Sequence, residues 1–79
     1  MPKLKVLSGE DLITIFSKFG FFVAARKGSH VKLKRTIGNI SQNLTIPNHK
    51  EIDKGTLKAI YNQALKYLTE GDLMEHFYN

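Results

Sequence analysis

The chain has 79 residues, 42% of them apolar, and contains no cysteine. That length suits one small domain spanning residues 1–79 around a modest core, and the lack of cysteine excludes disulfide staples and thiolate metal sites, a composition that fits a reducing cytoplasm. The formal charge is +5, and its distribution implies a positive surface and a polyanionic partner: between Leu12 and Lys50 there is no Asp or Glu, while Lys18, Arg26, Lys27, Lys32, Lys34, Arg35 and Lys50 all fall there.

The opening "MPKLKVLSGEDL" is charged and lacks the apolar run of a signal peptide. Ser8 reads as an N-cap, with Glu10 and Asp11 in the first turn, where they complement the helix dipole. Leu12, Ile13, Phe16 and Phe19 recur at helical spacing, which predicts a helix over residues 9–19 closed by Gly20. "FGFFVAA" is far too short to span a bilayer, so no membrane segment is expected.

Residues 21–26 are aromatic or small and suit a strand, and Lys27-Gly28-Ser29 is turn chemistry. "HVKLK" alternates: Val31 and Leu33 face one way, and His30, Lys32 and Lys34 the other. Gly38-Asn39 marks a second turn, and "QNLTIP" forms a third strand with Leu44 and Ile46 inward and Pro47 at its end. Asp53 caps a second helix whose apolar stripe, Leu57, Ile60, Tyr61, Ala64, Leu65 and Leu68, carries it to about Leu68. A short final helix is expected around residues 72–77. The sum is an α+β domain, helix–three-stranded antiparallel meander–helix, with both helices on one face of the sheet and His30 among lysines on the wet face.

That wet face is the candidate site. Cleaving RNA without a metal needs a base for the ribose 2′-OH, an acid for the leaving 5′-oxygen, and donors for the charge of the phosphorane. Imidazole suits both proton transfers, and cations around it disfavour its charged form and leave a neutral base. Lys27, Lys32 and Lys34 are placed to grip phosphates, and the backbone at Gly28-Ser29 to form an anion-binding concavity. The plain alternative for His30 is a polar residue at a strand start. His49, in "PNHKE", either approaches the same site across the sheet or is an ordinary loop residue, and His76 lies inert in the acidic tail. No histidine pair has metal-ligand spacing, so no metal or other cofactor is expected. Phosphate-loop, nucleophile-elbow and dinucleotide-binding patterns are all missing. "KGT" at 54–56 reads as a helix start rather than a phosphate site.

Two blocks, "GFFVAARKGSHVKL" (20–33) and "TIPNHKEIDKGTLKAI" (45–60), together with the opening "LSGEDLI", resemble the HicA (YcfA-like) mRNA interferase toxins over most of residues 4–64. The resemblance implies a fold like that of double-stranded-RNA-binding domains. It also implies a metal-independent endoribonuclease that cuts messenger RNA and halts translation, as the toxin of a type II toxin–antitoxin system. The resemblance makes His30 the catalytic residue; on the residue reading, Arg26, Lys27, Lys32 and Lys34 bind the RNA phosphates, Gly28 and Ser29 shape the turn, and His49 or water supplies the second acid or base. The implied partners are single-stranded mRNA and a HicB-type antitoxin that masks the site. Phe22 departs from the family's commonly charged residue, and it reads either as an exposed stacking surface or, were the strand bulged, as core. The rival readings of the same residues are a non-catalytic RNA-binding module and a protein-interaction domain with a basic docking face.

Overall fold

The computed structural model describes residues 2–79. Its elements are α1 (Gly9–Ser17), β1 (Phe22–Lys27), β2 (His30–Ile37), β3 (Ile40–Pro47), α2 (Lys54–Ala64) and α3 (Glu70–Phe77). The strands form an antiparallel sheet in the order β1-β2-β3. This is the expected α+β order of helix, three-stranded meander and helix, followed by the short final helix, which starts two residues earlier than expected.

Helix α1 begins where its chemistry demands. Ser8 Oγ accepts from the Asp11 N–H at 3.0 Å, and the Asp11 carboxylate accepts from the Ser8 N–H at 2.9 Å, so two orphan donors are satisfied reciprocally. The helix ends at Ser17 rather than Phe19. Lys18 and Phe19 close a tighter turn onto Ile15 and Phe16, and Gly20 at φ +93° swings the chain back. The reversal drops Phe21 into the core edge-on to Phe16, at 5.9 Å between centroids. Phe21 is therefore a buried pivot, and β1 starts one residue later than its composition predicts.

The hairpins both turn on glycine. Gly28 and Gly38 each have φ +60°, and no other residue in either turn is left-handed, the pattern of two-residue type II′ turns whose twist matches the strands. Lys27 pairs with His30, and Ile37 with Ile40. The second pairing makes β2 and β3 longer than "HVKLK" and "QNLTIP" indicate. A bulge at Ala24 lies between the pairs Val23–Leu33 and Ala25–Lys32. Beyond it Phe22 pairs with Lys34 and stays 56% exposed. The bulge is present, yet it sends Phe22 to the lysine face rather than to the core.

Val31, Leu33, Leu44 and Ile46 are buried on the other face, against Leu12, Ile15 and Phe16 of α1 and Leu57, Ile60, Tyr61 and Ala64 of α2. Helix α2 stops at Ala64, not near Leu68. Leu65, Lys66 and Tyr67 continue as turns, although the Leu68 N–H still reaches the Ala64 carbonyl. Thr69 then caps α3 by accepting from the Asp72 N–H at 3.1 Å. The break lets Leu73 and Phe77 enter the core, where Phe77 meets Phe16 and Tyr61 at 6.1 and 5.1 Å. The apolar period runs straight through Leu65 and Leu68, so the stripe alone overstates α2.

Arg35 belongs to this scaffold and not to the cationic face. Its guanidinium donates to Gln42 Oε1 at 2.8 Å, to the Phe19 carbonyl at 2.9 Å and to the Tyr67 carbonyl at 3.3 Å. It also stacks 4.9 Å over the Phe21 ring. One planar cation thus joins the ends of α1 and α2 to the sheet.

Candidate nucleic-acid interface and histidine cleft

The β1–β2 turn sets His30 at the first position of β2, directly opposite Lys27 and Pro47. Residues in register share a face, so Lys27, His30, Lys32, Thr45 and Pro47 all rise from the side of the sheet that the helices leave open. His30, Lys27 and Lys32 are exposed, and Lys34 is half-buried further along the same face between Phe22 and Asn43. Among the described residues no Lys or Arg forms a salt bridge with a carboxylate, and the one carboxylate contact of that kind is with the His76 ring, to Glu75, so Lys27, Lys32 and Lys34 have no internal carboxylate.

The connector after β3 folds back against this turn. The Asn48 N–H donates to the Ser29 carbonyl at 2.6 Å, and the Gly9 N–H to the His49 carbonyl at 2.9 Å. Gly9 is needed for that approach: a Cβ there would stand 2.5 Å from Asn48 Cα and 2.7 Å from the Pro47 carbonyl oxygen. The same connector starts α2 beside the end of β3. Together they enclose an open cleft of about 580 Å³, with His30, Thr45, Pro47 and His49 on one side and Asp53, Thr56, Ala59, Ile60 and Gln63 of the α2 side opposite. A smaller groove of about 230 Å³ lies on the sheet itself, among Ala25, Lys27, His30, Lys32 and Thr45. His30 and Thr45 line both.

Asp53 closes the α2 end of the cleft. Its carboxylate accepts from the Thr56 hydroxyl at 2.7 Å and from the Thr56 N–H at 3.1 Å. The hydroxyl bond above all holds its pKa below the ordinary carboxylate value. The helix start is thus already occupied by an anion, in keeping with "KGT" as a helix start and against a phosphate at that position.

The expected site residues divide. His30, Lys27 and Lys32 converge on one groove, and His49 joins His30 at the cleft. Gly28 and Ser29 make the turn, with the Ser29 carbonyl tied to Asn48. Arg26 does not join them: it pairs with Val31, whose side chain points to the helices, so Arg26 rises on the opposite face at the exposed edge strand. The turn sets Lys27 opposite His30, so its neighbour Arg26 falls on the other face by plain alternation, which a count of adjacent basic residues does not separate. Thr45, Thr56 and Gln63 escape a linear reading, although the short link from Pro47 to Asp53 signals that α2 begins beside β3. Gly9 carries a signal too, as a poor helix former placed at a first turn. His76 lies away from the site, edge-on to Phe19 at 5.7 Å. Among the described residues no three His, Cys, Asp or Glu side chains gather as a metal-binding group, and no helix is long and apolar enough to cross a membrane.

No curated protein and no solved structure matches the chain. The family model described as "HicA toxin of bacterial toxin-antitoxin" matches residues 9–65. That span runs from the first residue of α1 to the cap of α2, and it contains the groove, the cleft and both of their histidines. The chain belongs to the HicA toxin family of bacterial toxin–antitoxin systems.

Proposed function

We propose that this toxin is an endoribonuclease that cleaves messenger RNA without a metal and so inhibits translation. The observation that carries the reading is His30, exposed at the junction of a lysine-lined groove and a cleft that also holds His49. In the reaction the ribose 2′-oxygen attacks the adjacent phosphorus. One imidazole takes the 2′-OH proton as the P–O bond forms, and the other gives a proton to the 5′-oxygen as its bond to phosphorus breaks. The products are a 2′,3′-cyclic phosphate and a free 5′-hydroxyl. His30 is one member of this pair and His49 the second. Lys27, Lys32 and Lys34 bind the phosphates and offset charge on the phosphorane, and Gly28-Ser29 shape the turn that presents His30. Arg26 reaches RNA only around the edge of β1. The whole of residues 1–79 acts as one domain, in the cytoplasm. A HicB-type antitoxin holds the toxin inactive by covering this face.

Incubation with single-stranded RNA in excess EDTA tests the reading. Cyclic-phosphate ends should appear with the wild type and be lost with His30→Ala. Cleavage by His30→Ala at the wild-type rate removes His30 from the mechanism, and cleavage abolished by EDTA removes the metal-free claim. The bare cationic face also fits an RNA-binding module, which predicts salt-sensitive binding, intact RNA and no toxicity on expression.

A further inference from the structure

The two depressions that share His30 differ in chemistry. The groove is lined by Lys27 and Lys32 and by no acid, whereas the cleft is lined by Asp53 and by no Lys or Arg. An anion is therefore drawn to the groove and repelled from the Asp53 end of the cleft. The volumes divide the same way. About 580 Å³ lies within the ~300–1,000 Å³ of sites that enclose a small organic group. About 230 Å³ falls below that range. The cleft walls are mixed: Pro47, Ala59 and Ile60 offer apolar surface, and Thr45, Thr56 and Gln63 offer hydrogen-bonding groups.

We infer that the cleft is a nucleobase pocket: RNA lays its phosphate in the Lys27–Lys32 groove and turns one base into the cleft, with the sugar at His30. This rests on the nuclease reading and extends it to the choice of cleavage site. Gln63 is the residue that reads the base. It is half-buried on α2, and none of the side-chain hydrogen bonds among the described residues uses its amide. A planar group with an adjacent donor and acceptor pairs with a base edge in two parallel hydrogen bonds. Extruded bases of single strands are recognised in this way. Thr56 Oγ1, already donating to Asp53, keeps acceptor capacity toward the cleft.

The test uses the whole chain and ligands that cannot be cleaved. Amide shifts are followed by NMR with inorganic phosphate, with a tetradeoxynucleotide of mixed sequence, and with the same tetramer carrying abasic sugars. Phosphate and the abasic tetramer should move amides around Lys27 and Lys32 and leave Thr56, Ala59 and Gln63 still. The base-bearing tetramer should move both sets. Gln63→Leu, whose fold the same spectra report, should weaken the base-bearing tetramer at least about fivefold, roughly 1 kcal/mol, and leave phosphate binding alone. On RNA, the variant should redistribute the cleavage sites. Cleft amides that stay still with every ligand overturn the inference even where the wild type cuts RNA, as does an unchanged affinity in Gln63→Leu. Cleft shifts from an enzyme that never cuts RNA would retain the pocket and remove the nuclease.

Discussion

Lys32 and Arg35 lie three residues apart on β2, both basic, and the fold uses them in opposite ways. Lys32 stands on the open face, in the groove beside His30, with no carboxylate partner. Arg35 points to the helix side and is held by Gln42 and by two carbonyls that end helices. The pleat decides this: an odd separation along a strand puts two side chains on opposite faces. Charge counted along a sequence therefore overstates a binding surface. The basic run 26–35 contributes Lys27, Lys32 and Lys34 to the open face, while Arg26 and Arg35 go to the other.

The comparison breaks most sharply at His30. His30→Ala should lower RNA cleavage by about 10²–10⁴-fold, the range for a lost acid–base group. The melting temperature should barely change, because the ring is exposed. Arg35→Met should do the reverse. Charged hydrogen bonds contribute about 1.5–3 kcal/mol each, and the Phe19 and Tyr67 carbonyls would lose their donor, so a loss of about 2–4 kcal/mol is expected in urea unfolding. The salt dependence of RNA binding should not change.

Gly9→Ala tests whether the cleft depends on the contact between α1 and the connector. The added methyl meets backbone atoms of Pro47 and Asn48, and forced overpacking typically costs about 1–3 kcal/mol. Because the Gly9 N–H also holds the His49 carbonyl, cleavage should fall further than stability alone explains. The readout is activity measured well below the variant's melting temperature. Lys32→Ala should change stability by less than about 0.5 kcal/mol. It should reduce the salt slope of single-strand binding by about 0.7, the share of one phosphate contact.

These contrasts mark where the sequence was readable. Alternation in "HVKLK" and "LTI" gave the correct open face, and Ser8 and Asp53 gave the correct helix starts, since caps and pleats are local properties. Helix ends were less legible. Leu65 and Leu68 extend the apolar period beyond Ala64, and only the Thr69 cap and the need to seat Leu73 and Phe77 explain the break. At the site, His30 and its lysines follow from one strand and one turn. The joining of His49, Thr56 and Gln63 to them depends on how α2 returns beside β3, which no local pattern records. Arg26 goes to the other face because it directly precedes Lys27 on β1, a pleat effect that charge grouped along the sequence does not carry.

The smallest expected effect lies at Asp53, where the cleft and the scaffold meet. Its carboxyl is held below the ordinary carboxylate pKa by the Thr56 hydroxyl and N–H. A folded-state pKa below the unfolded one means stability that is full above the unfolded value, near 3.8, and is lost as pH falls through the folded value. Thermal melts from pH 7 down to pH 2 should therefore show a modest acid-side loss setting in below about pH 4. Asp53→Asn keeps a capping oxygen but no titrating group. Its melting temperature should lie slightly below that of the wild type at neutral pH and converge with it in acid. Parallel curves across the whole range would show that the Asp53 charge contributes nothing to holding the start of α2. Phosphate affinity should stay level in the same variant if the anion sits in the lysine groove, and rise if the helix start is where it binds.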